Sequence, residues 1–186
     1  MNRLTLDLVR DLASAIESLS QSRQPLIIAG NQEYFSVGAN LNEISRLNGA
    51  GALEFGRTGQ MLMSSLAAFP APCCAAISGH CFGGGLDLAL ACHGRIASSN
   101  AFFGHRGAAL GLITGWGGTQ RLPRLVGKGR AMQMLIAADT IPATEALRIG
   151  LVDAIADDPV AEAIRRITAT GPASGPFAPS DPAGIP

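Results

Sequence analysis

The sequence predicts an α/β domain built on a largely parallel sheet with helices on both faces. Two observations carry that expectation. Short apolar runs of strand length, Leu26–Ala29 and Cys73–Ile77, alternate with longer segments of helical periodicity. Three consecutive glycines, Gly83, Gly84 and Gly85, then join a strand directly to a helix. The 186 residues suit one domain at about 150 residues per domain, and a chain of that size can bury a real core. With 47% hydrophobic and 15% charged residues and a mean hydropathy of +0.26, the chain is no disordered protein. Fourteen basic residues balance fourteen acidic ones, so no positive field exists to attract a nucleic-acid backbone.

In order, Leu8, Leu12, Ile16 and Leu19 recur at helical spacing and predict a helix over residues 5–20, with Asp7 and Asp11 near its start. Pro25 turns the chain into the strand Leu26–Ala29, which ends at Gly30. A polar loop through Ser36, Val37, Gly38 and Ala39 follows. Asn40 then caps a helix, with Glu43 three residues on as in a capping box. A helix over 52–68 stops at Pro70 and Pro72, and the strand Cys73–Ile77 leads through the glycines into a helix over 86–91. Strands at 95–98 and 101–103 precede a glycine-rich loop over 104–118. Helices at 119–126, 129–138 and 143–149, a strand at 151–155 and a short helix opened by Pro159 complete the core. No internal repeat is visible. The core is expected over 1–168, with a disordered Pro/Gly-rich tail over 169–186.

Cys73, Cys74, Cys81 and Cys92 lie in apolar stretches without paired ligand spacing, so they read as small buried hydrophobes and not, with His80 and His93, as a metal site. The N-terminus carries charges where a signal peptide needs an apolar stretch. The most apolar segment, 72–92, is broken by Ser78, His80 and Asp87. A soluble cytoplasmic protein without membrane partners is the expectation.

The glycine turn is where chemistry can reside. Backbone N–H groups there approach a ligand unobstructed, and the helix start adds its positive end, which suits an anion or oxyanion; a packing turn is the alternative. The dinucleotide fingerprint fails at Leu88, the phosphate loop fails around Lys128, and neither Ser36 nor Ser78 sits in a nucleophile elbow.

Four blocks in order resemble the crotonase superfamily, the enoyl-CoA hydratase/isomerase family. They are residues 26–44 (LIIAGNQEYFSVGANLNEI), 75–92 (AAISGHCFGGGLDLALAC), 111–127 (GLITGWGGTQRLPRLVG) and 143–152 (ATEALRIGLV), and the resemblance spans roughly 2–167. It implies a ClpP/crotonase-like superhelix of ββα units that binds an acyl-CoA thioester, with coenzyme A entering as part of the substrate and no separate cofactor. It also implies an oxyanion hole made by the N–H groups of Ala39 and Gly84, with Ser36, Gly38, Asn40, Leu41, Gly83 and Gly85 around the substrate. A ClpP-like peptidase is the weaker alternative, for want of a serine motif.

The chain departs from the family at the acid/base positions. One family glutamate falls on Asp87, which keeps a carboxylate but reaches about 1.5 Å less far; a first-turn acid on the helix dipole is the plainer reading. The other falls on Gly107, which has no side chain, so the two-glutamate hydratase pattern is not met. His105 and Arg106 flank that gap and are expected to be surface residues, with an acid/base or anion-holding role as the alternative. The naphthoate-forming branch of the family also has glycine there; its later loop aspartate falls on Thr114. Trp116, Arg121 and Arg124 read as packing residues. Family members usually begin with strands ahead of the position of Asn2 and continue beyond Ala163 into helices that close the acyl site and build trimers or hexamers. The sequence is therefore expected to be incomplete at both ends. Two functions follow from the resemblance: an enoyl-CoA hydratase/isomerase-like enzyme stabilising a thioester enolate, or a truncated, catalytically inactive acyl-CoA-binding homologue.

Overall fold

The computed structural model describes residues 1–170, so the expected Pro/Gly tail lies outside the described residues from 171 onward. Strand β1 (Arg3–Leu4) leads into α1 (Leu6–Ser20), whose N-cap Thr5 accepts a hydrogen bond from the Leu8 amide. The buried stripe of α1 is Val9 and Ile16 with Leu12 and Ala13 behind them, whereas Leu8 and Leu19 are exposed. The expected stripe thus holds at Leu12 and Ile16, Val9 takes the buried place expected of Leu8, and Leu19 stays exposed on a helix that packs against α3.

Strands β2 (Leu26–Ala29), β3 (Tyr34–Ser36) and β4 (Gly38–Ala39) follow, then the single turn α2 (Leu41–Ile44) and the long α3 (Gly49–Ala67). The polar loop expected over 36–39 is therefore strand: Gly38 and Ala39 pair with Arg3 and Leu4, and Ser36 pairs with Cys81. Asn40 does cap α2, accepting from the Asn42 amide. The capping box does not form: Glu43 accepts instead from the Leu6 amide and so holds the start of α1.

Next come β5 (Cys73–Ile77), β6 (His80–Phe82), α4 (Gly84–Ala91), β7 (Gly94–Ala97) and β8 (Phe102–Gly104). A short 3-10 turn (Arg106–Leu110) precedes α5 (Gly118–Val126), α6 (Lys128–Ile136), β9 (Ile141–Pro142), α7 (Ala143–Arg148), β10 (Ala154–Ile155) and α8 (Pro159–Thr170).

The pairing explains the architecture. In the consecutive pairs β2/β3, β5/β6 and β7/β8 the first strand enters one parallel sheet, ordered β10-β7-β5-β2. The second strand enters another, ordered β3-β6-β8-β9, parallel except for the β8–β9 pair; the last two strands enter in the reverse order, and β1 pairs with β4 in a ladder of their own. Each strand-strand-helix unit thus advances one turn of a superhelix, a repeat of geometry that the sequence does not repeat. The main core holds Leu62, Met63, Leu66, Ile77, Leu86 and Phe103 between the sheets and helices. On the opposite face, α8 lays Ala163 and Ile167 over Cys74 and Ile96, so the first sheet is covered on both sides as expected. Among the described residues no helix is long and apolar enough to cross a membrane.

Candidate active site

The site begins where β6 must become α4 within one residue. Gly83 does this at φ +53° and ψ −124°, a conformation that side chains disfavour. The Asp87 amide donates to Gly83 O at 3.0 Å, which is the first bond of the helix. The amides of Gly84, Gly85 and Leu86 therefore have no acceptor within α4, and they stand at its positive end.

Strand β4 runs against this helix start. A side chain on Gly38 would meet Gly84 N at 2.7 Å and Phe82 O at 2.8 Å, so only glycine permits the approach. The approach brings the Ala39 amide nitrogen to 3.6 Å from the point where a Gly84 side chain would begin. Trp116 closes the other side, with its ring 2.6 Å from that same point. The indole is buried against Phe55 and donates to Phe55 O at 3.3 Å, so it serves as packing, as its sequence setting suggested. Gly84 is thus walled by β4 and an indole.

Asp87 lies one turn further along α4, on the same face as Gly84. Its side chain is 1% exposed, and one oxygen, Oδ2, accepts from the Thr114 hydroxyl. The other, Oδ1, makes no hydrogen bond and faces His105 Nε2 at 3.4 Å. Burial pushes the Asp87 carboxyl up to about 6, against the opposing pull of Thr114, the Arg121 guanidinium and the amides of Trp116 and Gly118. Burial likewise lowers His105 to about 4, so near neutral pH its imidazole is uncharged.

His105 is therefore not the surface residue expected. Phe103 and His105 alternate on one side of the chain leaving β8, and the segment 106–118 folds over them. Arg106, as expected, is exposed. Gly107 borders the same space without a side chain, and a Cβ there would lie 3.0 Å from Leu112 O.

These groups surround one cavity of about 530 Å³. Ala39, Gly84, Asp87, His105 and Thr114 all border it, and Leu41, Phe55 and Leu112 contribute to an apolar wall. Of the residues expected around a substrate, Leu41 and Gly83 reach the cavity. Ser36, Gly38, Asn40 and Gly85 stand behind it: Ser36 bonds Asn2 O and the Gly38 amide, Asn40 caps α2, and Gly85 packs on Ser36. Arg121 ties the loop to α3 through Trp116 O and Met63 O, and Arg124 bonds Gln120 O. The four cysteines are buried and unbridged. Among the described residues no cluster of three or more His, Cys, Asp or Glu side chains could hold a metal ion.

The family model for enoyl-CoA hydratase/isomerase matches residues 1–170. The chain belongs to that family. It is 42% identical over 158 residues to a crotonyl-CoA hydratase of Syntrophomonas wolfei, covering 83% of this chain and 61% of the relative. It is 38% identical over 160 residues to a short-chain-enoyl-CoA hydratase of Clostridium acetobutylicum, covering 84% and 61%. Among solved structures, an enoyl-CoA hydratase from Bacillus anthracis superposes with a TM-score of 0.85 at 32% identity, covering 90% of this chain and 67% of that one. DspI of Pseudomonas aeruginosa superposes at 0.84 with 36% identity, covering 88% and 64%. The fold is thus of the crotonase type, and the chain spans about three fifths of the length of the curated relatives it matches.

Proposed function

We propose that this enoyl-CoA hydratase/isomerase homologue binds a short acyl-CoA thioester and stabilises its enolate, interconverting a 2-enoyl thioester with its hydrated form. The observation that carries this reading is the convergence, on one cavity, of the helix-start amide of Gly84, the Ala39 amide and the buried carboxyl of Asp87. The names of the two hydratase relatives support the substrate class.

In this reading the thioester oxygen accepts hydrogen bonds from the Ala39 and Gly84 amides. As charge develops on that oxygen, main-chain donors fixed at the start of α4 and on β4 need little reorganisation to stabilise it. One such donor is worth about 3–4 kcal/mol of barrier. Asp87 moves a proton to or from the α-carbon. Its carboxyl, held at about 6, exchanges a proton near neutral pH far more readily than an ordinary aspartate. The apolar wall excludes water from the acyl chain and strengthens each of these interactions.

Gly107 favours a second reading, in which the chain binds acyl-CoA without turnover. The two separate when binding and product are measured independently. Crotonyl-CoA bound by calorimetry and hydrated by the wild type, with hydration lost at least 100-fold in Asp87→Asn while binding persists, is the result expected. Binding without product establishes the second reading.

A further inference from the structure

We infer that Asp87 and His105 act as a proton-sharing dyad, with His105 supplying the second proton-transfer group that the glycine at position 107 cannot. The inference rests on the thioester reading above and assigns a further residue to it.

Three observations lead to it. Four buried side-chain polar atoms among the described residues make no hydrogen bond, and two of them, Asp87 Oδ1 and His105 Nε2, face each other at 3.4 Å. Leaving both atoms unpaired inside a protein is costly unless a proton or a ligand engages them in use. Second, both residues border the cavity that Leu41 and Phe55 also line. Third, the place where they meet is kept open by Gly118, since a Cβ there would collide with both Asp87 Oδ1 and His105 Nε2.

Thr114 holds Asp87 Oδ2, so Oδ1 is the oxygen free to carry a proton. The groups that face the pair are the Arg121 guanidinium from α5, which draws Asp87 towards its charged form, and the Cys81 thiol from β6, which burial keeps neutral. Burial raises the Asp87 carboxyl and lowers the His105 imidazole, so both shifts favour a protonated acid beside a neutral imidazole.

That state can hydrate an enoyl thioester with every atom accounted for. The water oxygen bonds to the β-carbon, and the proton it loses passes to His105 Nε2. The π electron pair of the carbon–carbon double bond moves towards the thioester oxygen. The enolate then takes the Asp87 proton at the α-carbon, restoring the carbonyl. An imidazolium beside a carboxylate remains, and one proton moving from Nε2 to Oδ1 resets the site. The sum is the addition of one water, with no oxidant or reductant.

The test uses the full chain with crotonyl-CoA as probe. His105→Gln is expected to bind crotonyl-CoA within twofold of the wild type and to hydrate it at least 100-fold more slowly. His105→Gly is expected to regain tenfold or more of its lost rate on addition of imidazole, a rescue that a packing role would not give. Hydration within threefold of the wild type in His105→Gln overturns the dyad while leaving the role of Asp87 intact. Loss of rate matched by loss of binding, without imidazole rescue, also overturns it. A wild type that binds but never hydrates overturns the thioester-hydration reading and the dyad together.

Discussion

At the scale of single residues, Asp87 shows how neighbours can fix one oxygen of a buried carboxyl and leave the other unbonded. An aspartate cannot reach as far as a glutamate, but the Thr114 hydroxyl anchors one of its oxygens and leaves the other free. Thr114 also holds the carboxyl below where burial alone would put it. Thr114→Val therefore removes a hydrogen bond to the charged form, and the Asp87 pKa is expected to rise by about 1–2 units, the equivalent of one bond to a charged group. Carbon NMR of the Asp87 carboxyl reads this directly, whether or not the variant turns over substrate. An unmoved titration shows that the hydroxyl does not hold the carboxylate.

At the scale of elements, legibility followed side-chain patterning. β2 and β5 were readable to the residue because each is an uninterrupted apolar run, and the two pair within one sheet. β3, β4 and β6 were not, because they are two or three residues long and carry Ser36, Gly38 and His80, whose strand conformation comes from their partners across the chain. The joint of β6 and α4 was readable from its glycines, and with it the spacing that puts Gly84 and Asp87 on one face. His105 was hidden because its burial depends on how residues 106–118 fold back, which no local pattern encodes. The same joint makes a prediction about helix propensity. Alanine normally improves a helix over glycine by about 1 kcal/mol. At position 85, however, a Cβ would stand 2.5 Å from Ser36 O, a backbone atom of the neighbouring strand. Gly85→Ala is thus expected to destabilise the chain by about 1–3 kcal/mol, the cost of overpacking. Urea unfolding measures it, and a stabilised variant would show that β3 and α4 leave room for a methyl group at this position.

The whole molecule shows a consequence of burying an acid and a base together. The superhelix places the end of β8 against the start of α4, so two titratable groups share one apolar interior. Asp87 titrates at about 6 instead of 3.8, so the native state holds its proton more tightly than the unfolded chain does. Its contribution is fully present below pH 3.8 and is lost as pH rises through about 6. His105 titrates at about 4 instead of 6.5, so its contribution is present above pH 6.5 and is lost as pH falls through about 4. Each shift corresponds to about 3 kcal/mol, and over the same pH window the two run in opposite directions. In the wild type they offset each other, so this site adds little slope to the stability between pH 4 and 6.5. Removing either partner should expose the other. Asp87→Asn is expected to gain about 3 kcal/mol in stability relative to the wild type as pH rises through that window, and His105→Gln to lose about as much. Denaturant unfolding at half-unit pH steps, taken as differences from the wild type so that other groups cancel, measures both slopes. Parallel slopes in the two variants would mean that the acid and the imidazole do not titrate as a buried pair.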